Sequence, residues 1–314
     1  DVDGVLSMYD KSGLRSLLLS PELLFVFTSV RTKNLPVVAD VLAPILRDRE
    51  EDLFVVPLEN KLFAGDVFRN QLNNCGMEDN PNVFTVNAIV DCMVAPQRSD
   101  TGEVVREPFD RLLAEETLNT KRDYEVESLR FEVVPDIELE YRKKDVGVAG
   151  FNTSIAWLGW HNDIEFLHDA LCSDKLGNSV DGLQEELAAA IAGLVNFPHG
   201  YIHSYLERVR YRMSNPYLMD PVSRFFRDIE GKLKDRLFVA VRSAWNRDDM
   251  MCSNLLDVMA VGFSRLIKNP LERSPDIPFG GDVKVYVETV CPFDSDMQPV
   301  CDKLVKKVYE CMGR

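Results

Sequence analysis

Three apolar segments rich in β-branched and aromatic residues alternate with two helical segments in the N-terminal part of the chain. The strand-like segments are LLFVFTSV (residues 23–30), LFVVPL (53–58) and VFTVNAIVD (83–91). The helical segments cover about residues 35–46 and 61–74. Strands that are apolar on both faces are typical of a parallel sheet covered by helices. The β-α-β-α-β order therefore predicts a parallel sheet with right-handed crossovers.

The pattern changes in the rest of the chain. An SDTGE turn at residues 99–103 precedes a further strand at 127–135, and the sequence after Gly147 is almost wholly helical. We therefore expect two domains, an α/β domain at residues 1–144 and a helical domain at 145–314.

Apolar stripes at helical spacing predict the helices of the second domain. Residues 181–195 carry such a stripe, with Asp181 as the expected N-cap, and residues 250–268 and 297–312 are similar. The side chains of the first stripe are Leu183, Leu187, Ile191 and Leu194.

Charge and cysteine content narrow the class of protein. A net charge of -15 in 314 residues argues against a surface that binds nucleic acid, and equally against docking on anionic membranes. The longest apolar run, residues 17–30, is interrupted by Ser20, Pro21 and Glu22 and is too short to span a bilayer. The seven cysteines match no zinc signature. We expect free thiols in an intracellular, reducing compartment, either the cytoplasm or an organelle matrix.

Polar side chains end two of the predicted strands. Asn60 closes the PLEN segment after the second strand, and Asp91 ends the third. The carboxyl ends of parallel strands are where α/β sheets place their ligand groups, so both residues are candidates for binding a substrate hydroxyl or polarising a carbonyl. Equally, Asn60 could cap the next helix. Asp91 has the same two interpretations.

The sequence was also searched for a phosphate-binding glycine loop and for a metal site. The chain shows neither a GxGxxG turn between a strand and a helix nor a P-loop, so it predicts no phosphate-binding glycine loop. His199, His203 and Glu207 are spaced i, i+4, i+8 and could form a metal-binding helix face. A solvated helix face explains the same spacing, and we predict no metal site.

Four segments occur in the order found in one enzyme family. LFVFTSV is similar to a strand that ends in a Thr-Ala-Val loop near the cofactor, and PLEN is similar to an acidic-Asn element. IVDCMVAP resembles Val-Asp-Arg-Ile-Val-Pro, with Cys92 in place of the Arg. NPYLMDPVSRFFRDIEGKL, residues 215–233, resembles Asn-Pro-Tyr-Leu-x-Asp-x-x-x-Arg and is the strongest match. Together these segments resemble the long-chain polyol and sugar-acid dehydrogenases, which include the mannitol dehydrogenases and hexuronate reductases.

The resemblance implies a fold and a set of site residues. The fold is α/β, with a partial Rossmann-type parallel sheet followed by a mostly α-helical C-terminal domain. Asn60 would be an oxyanion donor. The residues matched to binding positions are Thr28, Ser29 and Val30 for the cofactor, and Asp91, Arg224, Arg227 and Lys232 for the substrate. The alternative for the two arginines is ion pairing with acidic residues of the same helix, namely Asp220, Asp228 or Glu230.

The catalytic motif of this family is Lys, four residues, Asn, two residues, His, and the present chain departs from it. An ungapped alignment back from WLG, residues 157–159, places Lys144 at the general base, Ala149 at the Asn and Asn152 at the His. Ala149 has no side-chain N–H, and losing one oxyanion donor typically slows an enzyme about a hundred- to a thousandfold. Asn152 cannot titrate near pH 7 as His does. An alignment gapped by three residues instead places Asn152 at the Asn and Gly147 at the Lys.

The incomplete motif and the lack of a glycine-rich turn lead to two main hypotheses. In the first, the protein is a degenerate family member without a cofactor. It would serve as a non-catalytic structural or interaction subunit of a larger assembly, with other proteins as partners. In the alternative, it is an active NAD(P)-dependent polyol(-phosphate) or sugar-acid oxidoreductase whose N-terminal cofactor-binding segment lies outside this chain. A sensor that binds a sugar without turning it over is a third hypothesis.

Overall fold

The computed structural model divides the chain into two units. An α/β unit consists of Asp1–Cys92 and Phe109–Tyr141, and a helical unit consists of Met93–Pro108 and Arg142–Arg314. The structure describes residues 6–78, 80–94, 106–108, 111–116, 131–195, 197, 199–248, 250–277 and 279–313. The SDTGE turn predicted from the sequence lies outside these residues.

The predicted alternation of strands and helices is present in the α/β unit. Its helices are α1 (Lys11–Leu18), α2 (Leu35–Leu46) and α3 (Ala64–Asn74). Its strands are β1 (Phe25–Thr28), β2 (Leu53–Pro57), β3 (Val83–Thr85), β4 (Ala88–Asp91), β5 (Arg111–Glu115) and β6 (Phe131–Val134). The chain passes into the helical unit within α4 (Ile137–Lys144).

The first sheet has the order β1-β2-β3, with all pairs parallel, as the sequence predicts. Phe25 lies opposite Phe54, and Thr28 lies opposite Pro57. Residues of α2 and α3 pack with β2 around the fully buried side chains of Leu46 and Phe68. The register brings the carboxyl ends of β1 and β2 to the same edge of the sheet, where both chain segments turn toward their next helices.

The predicted third strand, residues 83–91, is wrong as a single element. It divides into β3, which pairs with β2, and β4, which pairs antiparallel with β5 in a second sheet of order β4-β5-β6. The division falls at Asn87, whose backbone N–H donates to the carboxylate of Glu115 at 2.8 Å. A long-range side chain thus takes the backbone donor at the point where the chain changes sheet.

The helical unit contains two long helices that are each interrupted by a π-helical turn. The first continues from α4 through a π turn at Asp145–Gly150 into α5 (Phe151–His161). The second runs from α9 (Ile229–Lys232) through a π turn at Leu233–Phe238 into α10 (Val239–Asp248). The remaining helices are α6 (Leu167–Cys172), α7 (Gly177–Leu194), α8 (His199–Met213), α11 (Ser253–Lys268), α12 (Val283–Val290) and α13 (Gln298–Met312).

The helix predicted at residues 181–195 begins earlier than expected. α7 starts at Gly177, so Asp181 lies inside the helix and is not its N-cap. The carboxylate of Asp181 instead accepts a hydrogen bond from Arg210 of α8 at 2.6 Å. Leu183, Leu187 and Ile191 are fully buried, as the apolar stripe predicts, whereas Leu194 is only partly buried.

The fold class predicted from the sequence is confirmed: a parallel sheet with covering helices precedes a mostly helical region. Within the described part of the chain, no helix is long and apolar enough to cross a membrane.

Candidate functional site

The carboxyl edge of the first sheet is organised by a buried carboxylate. Glu59, which follows β2 and is 8% exposed, accepts the backbone N–H of Val30 at 2.7 Å and the hydroxyl of Thr28 at 3.3 Å. Thr28 is buried, whereas Ser29 is exposed. The three residues predicted to contact a cofactor therefore form a loop held by the acidic residue of PLEN. Its position directly after a buried strand was the signal for this role in the sequence.

Asn60 lies next to Glu59 on an exposed part of the chain, where its backbone carbonyl accepts a hydrogen bond from Tyr141 at 3.5 Å. The alternative in which Asn60 caps the next helix is wrong. α3 begins at Ala64, and the backbone N–H of Gly65 donates to the side chain of Asn87 at 2.9 Å. Asn87 therefore caps α3 from the start of β4, and the candidate role of Asn60 in binding remains a prediction.

Asp91 is the last residue of β4, at the strand end that the sequence indicates. It is 6% exposed and lies opposite Arg111 of β5 in the strand register. Arg111 in turn forms a bidentate ion pair with Glu132 of β6, with its shortest distance at 2.6 Å. The structure thus places Asp91 in a buried, charged strand end within the α/β unit.

Lys144 is the last residue of α4 and directly precedes the first π turn. Ala149 lies within that turn, and its backbone carbonyl accepts the hydroxyl of Thr153 at 2.8 Å. Asn152 follows in α5, and its Oδ1 atom is buried with no hydrogen-bond partner among the described residues. Gly147 packs against α8, because a Cβ there would lie 2.7 Å from the ring of Tyr205.

The π turn changes which of these side chains share a helix face. Inserting one residue into an α-helix rotates everything that follows by about 100°. The spacing of Lys144, Ala149 and Asn152 in the sequence therefore does not by itself define their relative directions. π turns of this kind are frequent at functional sites, which fits the position of the candidate base at the head of the turn.

Lys143, next to the candidate base, was missed by sequence reasoning. It is 2% exposed, and its Nζ atom donates to the hydroxyl of Tyr201 at 3.0 Å. The same atom lies 4.9 Å from the ring centroid of Phe197 and 5.2 Å from those of Tyr201 and Tyr205. The signal in the sequence was the aromatic spacing i, i+4, i+8 at these three positions.

The segment that carries the predicted substrate-binding cations is held by Lys232. Its Nζ atom donates to the backbone carbonyls of Phe225, at 2.8 Å, and of Arg227. Burial, and after it the positive charge of Arg236, lower the pKa of Lys232 to about 8. Lys232 therefore fixes the backbone between two exposed arginines, Arg224 and Arg227.

Arg224 forms an ion pair with Asp220, as the alternative explanation predicts. The two residues do not share an α-helix, because a short 3-10 helix at Val222–Phe226 follows Asp220. Burial raises the pKa of Asp220 to about 6, and the guanidinium of Arg224 opposes this shift. The ion pair thus holds one arginine, and Arg227 remains exposed on the same segment.

The helix face of His199, His203 and Glu207, which the sequence predicts to be solvated, has an acidic residue next to it. His203 lies 3.7 Å from Glu185 of α7, and the side chain of His199 lies outside the described residues. No group of His, Cys, Asp and Glu suited to a metal ion occurs among the side chains that the structure describes.

The two π turns are joined by an ion pair. Arg236 of the second π turn lies 3.1 Å from Asp145 of the first, and the side chains are 20% and 15% exposed, respectively. Burial raises the pKa of Asp145, and the charges of Arg236 and Lys144 oppose that shift. Neither residue was a candidate in the sequence, because they are brought together only by the packing of the two interrupted helices.

Comparisons with known proteins cover both units. The profile of the mannitol dehydrogenase C-terminal domain matches residues 143–269. The chain is 29% identical over 231 residues to mannitol-1-phosphate 5-dehydrogenase of Caldanaerobacter subterraneus, in a match that covers 69% of this chain. It is 24% identical to the enzyme of the same name from Lacticaseibacillus casei, over 87% of this chain and 73% of that protein. The match spans 59% of the Caldanaerobacter protein, about three fifths of its length.

Two solved structures share the fold. Pseudomonas fluorescens mannitol 2-dehydrogenase, in a ternary complex with NAD and D-mannitol, superposes with a TM-score of 0.73 at 17% identity. That match covers 99% of this chain and 76% of the other. A D-sorbitol dehydrogenase in substrate-free form superposes with a TM-score of 0.74 at 16% identity, over 96% and 77% of the two chains.

Proposed function

The chain belongs to the mannitol dehydrogenase family, and on that premise we propose that it oxidises a sugar alcohol or its phosphate with NAD(P)+ as hydride acceptor. Lys144 carries the proposal. In the ungapped alignment Lys144 takes the position of the family's general base, and Lys144 lies at the head of a π turn.

The loop at Thr28–Val30 fits the cofactor in this role. It follows a parallel strand at its carboxyl end, where open α/β sheets bind dinucleotides. Glu59 fixes the backbone of Val30 and the side chain of Thr28, so the loop is pre-formed. NAD(P)+, when bound, supplies the acceptor for the hydride.

The protein residues handle the proton and the developing charge. As general base, Lys144 accepts the proton of the substrate hydroxyl while the carbon-bound hydrogen leaves as hydride with both electrons. The alcohol thereby becomes a carbonyl compound, and Lys144 later releases its proton to solvent. The resemblance assigns to Asn60 the role of oxyanion donor, which offers a side-chain N–H to an oxygen that gains negative charge during the transfer.

The guanidinium of exposed Arg227 suits an anionic substituent on the substrate, and Arg224, which pairs with Asp220, lies on the same segment. Arginine presents paired N–H donors that match a phosphate or carboxylate. Lys232 holds the backbone of this segment by its two carbonyl contacts. Mannitol 1-phosphate is therefore the first substrate to test, followed by mannitol and hexuronates.

The test uses the natural full-length protein. NADH and NADPH binding are measured by fluorescence titration, and turnover is measured with mannitol 1-phosphate. We expect micromolar cofactor binding, and we expect Lys144→Met to reduce kcat more than about a hundredfold, since general bases contribute about that much. Lys306→Met, an exposed lysine change on α13, is the matched control and should leave kcat unchanged. No binding at millimolar cofactor would overturn the proposal.

A second candidate function is a non-catalytic family member that acts through protein partners. It is favoured by Ala149, which supplies no side-chain N–H, and by Asn152, whose buried Oδ1 atom has no partner in the described part. The double variant Ala149→Asn, Asn152→His discriminates between the two. Gain of turnover by this variant from an inactive natural protein would support the second candidate. Turnover by the natural protein would exclude it.

A further inference from the structure

Lys144 lies between two charged residues that are each attached to a different element of the helical unit. Lys143 contacts Tyr201 of α8, and Asp145 pairs with Arg236 of the second π turn. Successive residues of a helix point about 100° apart around its axis. The side chains of Lys143 and Asp145 therefore point to opposite sides of the direction in which the Lys144 side chain projects.

The contacts of the Lys143 side chain are ones that a positively charged group makes. Its Nζ atom is surrounded by the rings of Phe197, Tyr201 and Tyr205 at 4.9 to 5.2 Å and donates to the Tyr201 hydroxyl at 3.0 Å. Ring faces attract a cation through their quadrupole, and this attraction strengthens when the cation is removed from water. At 2% exposure, Lys143 is in that situation.

The attachment of Asp145 links the candidate base to the segment of the predicted substrate-binding cations. Arg236 is one helical turn beyond Lys232, whose Nζ atom holds the arginine-bearing segment. The Asp145–Arg236 pair is mostly buried, so removing one partner leaves an uncompensated charge on the other. A displacement of either π turn is therefore opposed by the other.

We propose that Lys143 and Asp145 are positioning residues that together fix the rotation of the helix at Lys144 and so aim its amine. This inference rests on the proposed function, since aiming matters only for a lysine that reacts. A rotation of the helix about its axis at Lys144 would pull Lys143 away from Tyr201 or Asp145 away from Arg236. The Lys143–Tyr201 contact opposes rotation in one direction, and the Asp145–Arg236 ion pair opposes rotation in the other.

The first experiment compares kcat and KM in Lys143→Met and Asp145→Asn. A misplaced catalytic group can lower the rate by up to about a hundredfold. We expect kcat to fall by about ten- to a hundredfold in each variant, with KM within about threefold of the natural value. Lys143→Arg keeps the cation between the rings and should restore most of kcat.

The matched control removes a comparable charge from the same unit. Glu272 forms a bidentate ion pair with Arg265 at 2.7 Å, remote in sequence from Lys144. Glu272→Gln makes the same carboxylate-to-amide change as Asp145→Asn and should leave kcat unchanged. If all variants lower kcat only in proportion to a loss of folded protein, positioning is overturned.

A second readout does not depend on turnover. Trace acetylation followed by mass spectrometry gives the labelling rate of Lys144 relative to exposed Lys306 in the same molecule. We expect this ratio to change severalfold in Lys143→Met and Asp145→Asn but not in Lys143→Arg or Glu272→Gln. An inactive natural protein would defeat the proposed function, whereas an unchanged labelling ratio in folded variants would defeat the positioning inference. If Lys143→Met does not fold, the labelling ratio is compared between the natural protein, Asp145→Asn and Arg236→Lys.

Discussion

The carboxylate of Glu59 accepts the backbone N–H of Val30 at 2.7 Å, and this bond ties together the chain segments that leave two neighbouring parallel strands. The same carboxylate oxygen receives the hydroxyl of Thr28. Both donors belong to the loop proposed to contact the cofactor, so one buried acid sets the shape of that loop.

Replacing this acid should weaken cofactor binding. Glu59→Ala leaves the Val30 N–H and the Thr28 hydroxyl without their acceptor, which typically costs about 1–3 kcal/mol. We expect a roughly tenfold or greater rise in the NADH dissociation constant, since about 1.4 kcal/mol corresponds to a factor of ten. Glu59→Gln keeps an acceptor oxygen and should change binding much less. Equal binding by Glu59→Ala and the natural protein, in fluorescence titrations, would contradict the assignment.

Arg49 should be among the most important side chains for the stability of the α/β unit. It is 3% exposed, and among the described residues its guanidinium donates to five backbone carbonyls. The acceptors are those of Leu18, Ser20, Leu23, Glu51 and Asp52, at 2.5 to 3.2 Å. Arg49→Met leaves several buried carbonyls unpaired, and we expect a loss of about 2–4 kcal/mol in urea unfolding. Exposed Arg47→Met is the control and should change stability by less than about 0.5 kcal/mol.

The low pKa of Lys232 predicts a rise in stability at alkaline pH. In the folded protein the group titrates at about 8, against an ordinary value of 10.5, so between these pH values the unfolded chain binds more protons. Stability therefore increases as pH rises through this window, by up to about 3 kcal/mol.

Lys232→Met removes the titrating group, so its stability should vary much less between pH 8 and 10.5. Urea unfolding of both proteins at several pH values measures the difference. The same slope in both would show that other groups cause it.

Glu186 of α7 should stabilise the start of α11. It is 4% exposed and accepts the backbone N–H groups of Asn254 and Leu255 at 2.9 and 2.7 Å. The N-cap residue of this helix, Cys252, makes no side-chain capping bond. Glu186→Gln turns an N–H donor toward one of these amides and removes the charge at the helix N-terminus. We expect a loss of about 1–3 kcal/mol in thermal or urea unfolding. Exposed Glu310→Gln on α13 is the comparison and should be neutral.

The sequence by itself determined the elements that depend on local pattern. Helix α2 has the predicted bounds, and β1 and β2 lie within the predicted runs and pair in parallel. Apolar runs and helical periodicity are properties of neighbouring residues, so they can be identified without the fold. The order of the motifs along the chain likewise indicates the family, because that order is a property of the sequence alone.

Tertiary structure decided the features that depend on residues distant in sequence. β3 and β4 separate at Asn87, where the side chain of Glu115 accepts the backbone N–H. The interrupted helix at Lys144 is attached on one side to Tyr201 and on the other to Arg236. Hydrogen bonds, ion pairs and ring contacts of this kind form between groups whose proximity is created only by folding. The sequence predicts helix only after Gly147, whereas the helix that ends at Lys144 and the π turn that follows it are seen only in the structure.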